Sequence, residues 1–147
     1  MQNLMSLALK EASIAFEEQE IPIGCIIVYE DKVIASAHNT KQQSNNSINH
    51  AEMLALNQAM AYLNSKYLYG CTMYLTIEPC AMCSGAMLNC RLEKLVYGAK
   101  EPRYGCGGSV YNLFEDKRFP YRTKVESGIM EEECAKLMQD FFALRRK

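Results

Sequence analysis

Two short motifs contain residues with the chemistry of metal ligands. His50 begins the segment His50-Ala51-Glu52, and two cysteines lie in Pro79-Cys80-Ala81-Met82-Cys83. Zinc prefers thiolate sulfur and imidazole nitrogen, and cysteines spaced i, i+3 at a helix start can direct both sulfurs to one point. The dipole and free N–H groups of a helix N-terminus also stabilise thiolates. The motifs therefore predict one zinc ion held by His50, Cys80 and Cys83.

The number of candidate ligands favours a catalytic site over a structural one. Structural zinc sites have four protein ligands, whereas catalytic sites keep a position open for water. The chain has two histidines, and a fourth ligand would have to come from His38 or a distant cysteine. Three ligands plus water is the simpler arrangement. Zinc can bring the pKa of a bound water to about 7, so that hydroxide is available as a nucleophile.

Glu52 is the candidate proton shuttle. Residues two positions apart on a helix normally face different ways, but in a first turn the side chains of His50 and Glu52 can border one pocket. A carboxylate beside zinc-bound water can take its proton and pass it to a leaving amine. The order H-x-E followed by P-C-x-x-C is the signature of zinc-dependent nucleobase deaminases. The pattern therefore indicates hydrolytic deamination.

The elements that must position these residues alternate between strands and helices. Residues 39–49 predict a polar loop before the helix that begins near His50, and 100–120 predict an irregular, glycine-rich segment. The alternation favours one α/β layered domain over residues 1–147. The other predicted helices are 2–18, from about Pro79 to Cys90, and 129–146; the predicted strands are 23–30, 32–38, 71–77, 93–99 and 123–128.

Apolar residues at helical spacing predict which face of each helix is buried. The predicted stripes are Leu4, Leu7, Ala8, Ile14 and Ala15 in the first helix, Met53, Leu56, Met60 and Leu63 in the second, and Cys134, Leu137, Met138, Phe141 and Leu144 in the last.

Composition places the chain among single-domain proteins of a reducing compartment. Its 147 residues are 49% hydrophobic, with a formal net charge of −1. The opening MQNLMSLALKEAS lacks the features of a signal peptide, and no apolar run approaches the ~18 residues of a membrane span. We therefore expect a cytoplasmic location. The other cysteines are expected to be buried or incidental thiols: Cys25, Cys71, Cys90, Cys106 and Cys134.

The net charge of −1 excludes an overall positive potential, but basic residues cluster in two parts of the chain. Residues 100–124 contain six lysines and arginines against three acidic residues, a net of +3, and the chain ends in Arg145-Arg146-Lys147. Such clusters can bind phosphates. At a helix end they can equally be solvated cations that the helix dipole favours.

Five segments resemble the bacterial tRNA adenosine deaminase family of the cytidine-deaminase-like superfamily. They are IPIGCIIVYEDKVIASAHN, HAEMLAL, LTIEPCAMCSGAML, VYGAKEPRYGCGGSVYNL and ESGIMEEECAKLMQDFFALRRK, which span about residue 20 to the end. The resemblance implies a three-layer α/β/α fold with a five-stranded mixed sheet and one zinc per subunit. It also implies a homodimer that binds a tRNA anticodon stem-loop and converts the wobble adenosine (position 34) to inosine.

The same resemblance implies a set of substrate-binding residues. Glu101 departs from the family, which often has Asp there in contact with the RNA backbone. From the residues alone, Asn39 could simply end a strand, and Phe142 could belong to the core. The implied substrate contacts are Asn39, Ala51, Glu101, Phe142 and Arg145.

Two other functions remain open at the level of sequence. The zinc motif alone does not distinguish a nucleotide in RNA from free cytosine, cytidine or guanine. A non-catalytic zinc module that binds RNA or a protein would instead have a closed four-ligand site and no need for Glu52.

Overall fold

The computed structural model describes residues 2–145, which form four α-helices and five β-strands in largely alternating order. The helices are α1 (Gln2–Glu17), α2 (Ala51–Leu63), α3 (Ala81–Asn89) and α4 (Glu131–Arg145). The strands are β1 (Gly24–Tyr29), β2 (Lys32–His38), β3 (Cys71–Ile77), β4 (Lys94–Ala99) and β5 (Lys124–Ser127), and a 3₁₀ turn covers Leu113–Glu115. No helix within this range has the length and hydropathy needed to cross a membrane.

The strands form one mixed sheet in the order β2-β1-β3-β4-β5. Strand β1 is antiparallel to β2 and β3, whereas β3, β4 and β5 are parallel to one another. Strands β2, β3 and β4 therefore end at the same edge of the sheet. The residues that follow these ends are Asn39, Glu78 and Lys100, and ligands typically bind at this edge in open α/β sheets.

Helices cover both faces of the sheet, because successive strand side chains point to opposite sides. Met73 and Leu75 of β3 pack with Leu56 of α2 and Met87 of α3. On the other face, Tyr74 packs in a cluster with residues of α1 and α4. The three-layer fold and the five-stranded mixed sheet are as predicted.

The buried face of α1 differs from the predicted stripe. Ala8 and Ala15 of the stripe are fully buried as predicted, together with Ala12 and Met5, whereas Leu7 is 43% and Ile14 36% exposed. A Cβ atom on Gly24 would overlap backbone atoms of α1. The backbone of α1 thus packs directly on β1 at Ala8 and Ala12, and large side chains do not fit at this point.

The start of α4 and the burial of its last turn also differ from prediction. The helix begins at Glu131 rather than 129, because Gly128 and Met130 adopt positive φ angles of 85° and 55°, which a right-handed helix excludes. The C-terminal part of α4 packs on the end of α1, where the ring centroids of Phe141 and Phe16 are 5.7 Å apart. Leu144 of the predicted apolar face is 60% exposed there. Predicted helix residue 146 lies outside the described residues.

All seven cysteines are free thiols. Of the five outside the metal motif, Cys90 is half-buried and the other four are buried. Their burial agrees with the expectation of packed thiols in a chain without disulfides.

We expect Gly24→Ala to lower the free energy of unfolding by about 1–3 kcal/mol, since overpacking at a rigid contact carries this cost. Gly85→Ala in α3 is the matched control. A Cβ there meets no atom within 4 Å, so we expect this variant to gain about 0.5–1 kcal/mol from reduced backbone entropy. Urea unfolding measures both, and equal stabilities of the two variants would contradict the packing argument.

Candidate active site

The three predicted metal ligands meet where two helices begin. His50 is the N-cap of α2 and Cys80 the N-cap of α3, and neither side chain makes a capping hydrogen bond. His50 Nδ1 lies 3.7 Å from Cys80 Sγ and 3.5 Å from Cys83 Sγ. All three donor atoms lie within 4.8 Å of one another. The structure thus brings together the residues that the two motifs singled out.

The geometry of these donors fits a zinc ion. Tetrahedral zinc, with bonds of about 2.3 Å to sulfur and about 2.0 Å to nitrogen, separates sulfur and nitrogen ligands by about 3.5 Å. The Cys83 thiol and the His50 ring hydrogen-bond to Cys80 and lower the pKa of Cys80 to about 4. The site therefore favours the thiolate form of Cys80, which is the ligand form that zinc requires.

His38 does not reach this group. Its Nδ1 is 2.8 Å from Glu11 Oε1 and its Nε2 is 2.9 Å from Glu18 Oε1, so both ring nitrogens are engaged with α1 and the turn after it. Within residues 2–145, only His50, Cys80 and Cys83 form a group of three or more His, Cys, Asp or Glu side chains that could hold a metal. The described residues offer no fourth protein ligand to close the site.

Glu52 lies in the first turn of α2 and borders the same cavity as His50 and Cys80. It is 3% exposed, and its Oε1 atom has no hydrogen-bond partner in the described structure. Burial raises the pKa of Glu52 to about 7. Because an unsatisfied buried oxygen costs free energy, this atom marks a place where a polar ligand belongs.

The cavity has a volume of about 510 Å³, which is within the range of small-ligand pockets. Its lining includes His50 and Cys80 of the metal-binding group and a set of cationic and aromatic side chains, which we call the rim. The rim residues are Lys41, Arg103, Tyr104 and Phe142.

Asn39 and Ala51 connect the end of β2 to the start of α2. Asn39 is 3% exposed and lines the cavity, and its Oδ1 accepts a hydrogen bond from Ala51 N–H at 3.0 Å. Ala51 is fully buried and is not part of the cavity lining. Both predicted substrate contacts are therefore adjacent to the site, and Asn39 is the one with access to it.

Of the other three predicted substrate contacts, Glu101 and Phe142 line the cavity and Arg145 does not. Arg145 donates to the carbonyl of Gln19 and lies 4.6 Å from the ring of Phe141. It borders a neighbouring cavity of about 220 Å³. Residues Arg146 and Lys147 lie outside the described residues.

Ion pairs within the segment 100–124 engage some of its cations but leave its net charge of +3 unchanged. Arg118 makes two side-chain hydrogen bonds to Asp116, and Arg103 Nε is 3.3 Å from Glu101 Oε1. Two of its six cations therefore have acidic partners.

The sequence analysis did not identify Glu78, which directly follows the predicted strand 71–77. The residue is 2% exposed, lines the cavity, and directly precedes the Pro79-Cys80 step. A charged residue between a buried strand and a ligand motif was the available signal, because carboxylates are almost never fully buried without partners.

The fold and the His/Cys/Cys group define the class of protein, a deaminase with the cytidine-deaminase-like fold. The MafB19-like deaminase family matches residues 1–146. The chain is 44% identical to the tRNA-specific adenosine deaminase of Bacillus subtilis (strain 168) over 143 residues, which covers 97% of this chain and 89% of that relative. The chain belongs to the tRNA-specific adenosine deaminase family.

Two solved structures extend the comparison. One, from studies of A-to-I editing by tRNA:A34 deaminases at the wobble position of transfer RNA, has a TM-score of 0.90 and 35% identity, covering 93% of this chain and 99% of that chain. A guanine deaminase of Bacillus subtilis has a TM-score of 0.64 and 31% identity, covering 67% of this chain and 63% of that chain.

We expect Cys80→Ser to reduce bound zinc well below one ion per chain, since a serine hydroxyl is a poor substitute for a thiolate ligand. Cys90→Ser makes the same change on a half-buried cysteine outside the group and should retain one ion. Elemental analysis of both purified proteins tests this, and full zinc occupancy in Cys80→Ser would contradict the assignment.

His38 should stabilise the fold in a pH-dependent way. Burial alone would lower its pKa, but hydrogen bonds to Glu11 and Glu18 outweigh it and raise the pKa above the usual value. The stabilisation is therefore complete below the unfolded pKa of about 6.5 and is lost as pH rises through the folded pKa.

The difference in unfolding free energy between the wild type and His38→Gln should accordingly be larger at about pH 5.5 than at about pH 9. Urea titrations at the two pH values measure this difference. A difference that is constant, or that grows with pH, would show that the ion pairs do not form.

Proposed function

We propose that this protein is a zinc-dependent hydrolytic deaminase that converts adenosine to inosine at the wobble position (34) of a tRNA anticodon. The observation that carries the proposal is the buried, unpartnered Oε1 of Glu52, a residue that lines the same cavity as His50 and Cys80 of the metal-binding group. Membership of the tRNA-specific adenosine deaminase family supports the substrate.

The chain's own residues divide the chemistry between binding and proton transfer. His50, Cys80 and Cys83 would hold one zinc ion per subunit, which supplies activation of a water molecule at neutral pH when bound. Glu52 takes a proton from the attacking water and delivers it to the departing amino group. Its free oxygen can do so because no protein donor competes for it.

The rim of the cavity has the chemistry to bind a nucleotide. Tyr104 and Phe142 present aromatic rings on which bases can stack, and Lys41 and Arg103 carry charges suited to phosphates. Asn39 and Glu101 are proposed to contact the target nucleotide, with Ala51 behind Asn39 and Arg145 on the outer surface. A base in an anticodon loop is already unpaired, so bringing it into the cavity costs less than opening a duplex.

The family resemblance also supports a homodimer that acts on tRNA in the cytoplasm. Light scattering should then give twice the 16.7 kDa mass of the chain. A particle of monomeric mass with full activity would exclude the dimer while leaving the chemistry intact.

In one alternative, the protein catalyses the same deamination on a free base instead of on tRNA. The similarity to a guanine deaminase favours guanine among the free bases. The second alternative, a non-catalytic zinc module, does not explain why Glu52 is buried beside the metal-binding group without a partner.

Glu52→Gln should retain zinc and fold but lose turnover by about 100-fold or more, as expected when a general acid–base group is removed. The assay detects inosine in a tRNA that carries adenosine at position 34. Glu126→Gln is the matched control, because Glu126 lies on β5 in a surface ion pair with Lys94 and should behave as the wild type. Free guanine, cytosine and cytidine are tested in parallel.

Undiminished turnover in Glu52→Gln would remove Glu52 from the mechanism. Turnover of guanine or cytosine by the wild type, with the tRNA left unchanged, would overturn the substrate while retaining the deaminase.

A further inference from the structure

We infer that Glu78 is a positioning residue that fixes the loop of residues 101–109 at the mouth of the cavity, and with it the two side chains of Glu101 and Arg103. This inference rests on the proposed function, because those two side chains matter only if the cavity mouth binds a nucleotide chain. Glu78 would therefore set how well an RNA substrate is bound, rather than how fast it reacts.

The carboxylate of Glu78 makes four hydrogen bonds, and every donor belongs to the 101–109 loop. Oε1 accepts from Glu101 N–H at 3.0 Å and from the Ser109 hydroxyl at 2.5 Å. Oε2 accepts from Gly107 N–H at 3.0 Å and from Ser109 N–H at 2.9 Å. A single side chain at the end of β3 thus binds the loop at three of its residues.

This pattern separates Glu78 from Glu52, the other buried acid of the cavity. A carboxylate offers about four acceptor sites, and the loop donors occupy all four on Glu78. Glu52 keeps one buried oxygen without a partner. Glu78 consequently has no free site with which to exchange a proton during the reaction, whereas Glu52 does.

The loop is shaped to fit this carboxylate. A Cβ atom on Gly105 would overlap the carboxyl group of Glu78 and the carbonyl oxygen of Glu101. Gly105 N–H bonds to that same carbonyl at 2.8 Å, and Cys106 N–H bonds to Pro79 O at 2.8 Å. Glycine is needed at position 105 because the backbone approaches Glu78 so closely.

The anchored loop in turn orients the side chains at the rim. Glu101 Oε1 accepts from the backbone N–H of Arg103 at 3.0 Å and from its Nε at 3.3 Å. The Arg103 guanidinium then lies 5.4 Å from the ring centroid of Tyr104 and 5.9 Å from that of Phe142. Glu78 is therefore connected to the cationic and aromatic rim through Glu101 and Arg103.

Glu78→Gln is the most direct test, since glutamine has the same shape but replaces one acceptor oxygen with a donor NH₂ group. That group cannot accept from backbone N–H, so at least one charge-assisted bond to the loop is lost. We expect the KM for a tRNA anticodon stem-loop to rise about tenfold, with kcat within about twofold and zinc content unchanged. Amide hydrogen exchange of residues 101–109 should become faster.

Three further variants make the test specific. Glu126→Gln makes the same chemical change on the surface of β5 and should leave KM, kcat and loop exchange unaltered. Ser109→Ala removes only the hydroxyl donor, and we expect a smaller rise in KM in the same direction. Gly105→Ala disturbs the contact from the loop side and should reproduce the Glu78→Gln pattern.

Several results would overturn the inference. A fall in kcat with unchanged KM would place Glu78 in the chemical step, and a loss of zinc would make it a support of the metal site. Unchanged KM and unchanged loop exchange would remove any positioning role. If Glu78→Gln does not fold, Ser109→Ala decides by the same measurements.

Failure of the proposed function gives a different result. The wild type would then not deaminate the RNA at all, yet hydrogen exchange of the 101–109 loop and RNA affinity would still be measurable in every variant. Faster loop exchange in Glu78→Gln with unchanged RNA affinity would confirm the anchor and reject its role in binding.

Discussion

The convergence of three donor atoms at the first turns of α2 and α3 is the constraint on which this site depends. Helix α2 follows β2, helix α3 follows β3, and the two strands end at the same edge of the sheet. Because both helices pack on the same sheet face, their N-termini point to one place. Free N–H groups and helix dipoles there favour thiolates and other anions, so the fold itself prepares the environment for a metal bound by cysteine.

Three buried carboxylates near this centre, Glu20, Glu78 and Glu52, differ in their hydrogen bonding. Glu20 is 1% exposed and accepts backbone N–H groups of Gln42 and Gln43, which holds the loop after β2. Glu78 holds the loop after β4 in a similar way. Of these three acids, only Glu52 retains a buried side-chain oxygen without a hydrogen-bond partner. Two acids thus stabilise loops beside the cavity, and the third keeps an unpartnered oxygen, which fits its proposed role in proton transfer.

The sequence predicts most accurately those features that depend on local pattern. The His50 and Cys80–Cys83 motifs lie at the predicted helix starts, because caps and ligand spacing are encoded within a few residues. The role of Glu78 could not be derived in this way, because the donors of its four hydrogen bonds are separated from it by 23 to 31 positions in the sequence. The buried face of α1 was misassigned for a similar reason: its close approach to Gly24 is a tertiary contact that periodicity does not reveal.

X-ray absorption spectroscopy at the zinc edge of the purified protein tests the central claim most directly. The account predicts two sulfur ligands at about 2.3 Å, one imidazole nitrogen at about 2.0 Å, and one further light atom supplied by solvent. Addition of a nucleobase-like inhibitor should alter the signal of that light atom alone. A third sulfur or a second imidazole in the zinc shell would mean a closed structural site, and would contradict the catalytic account.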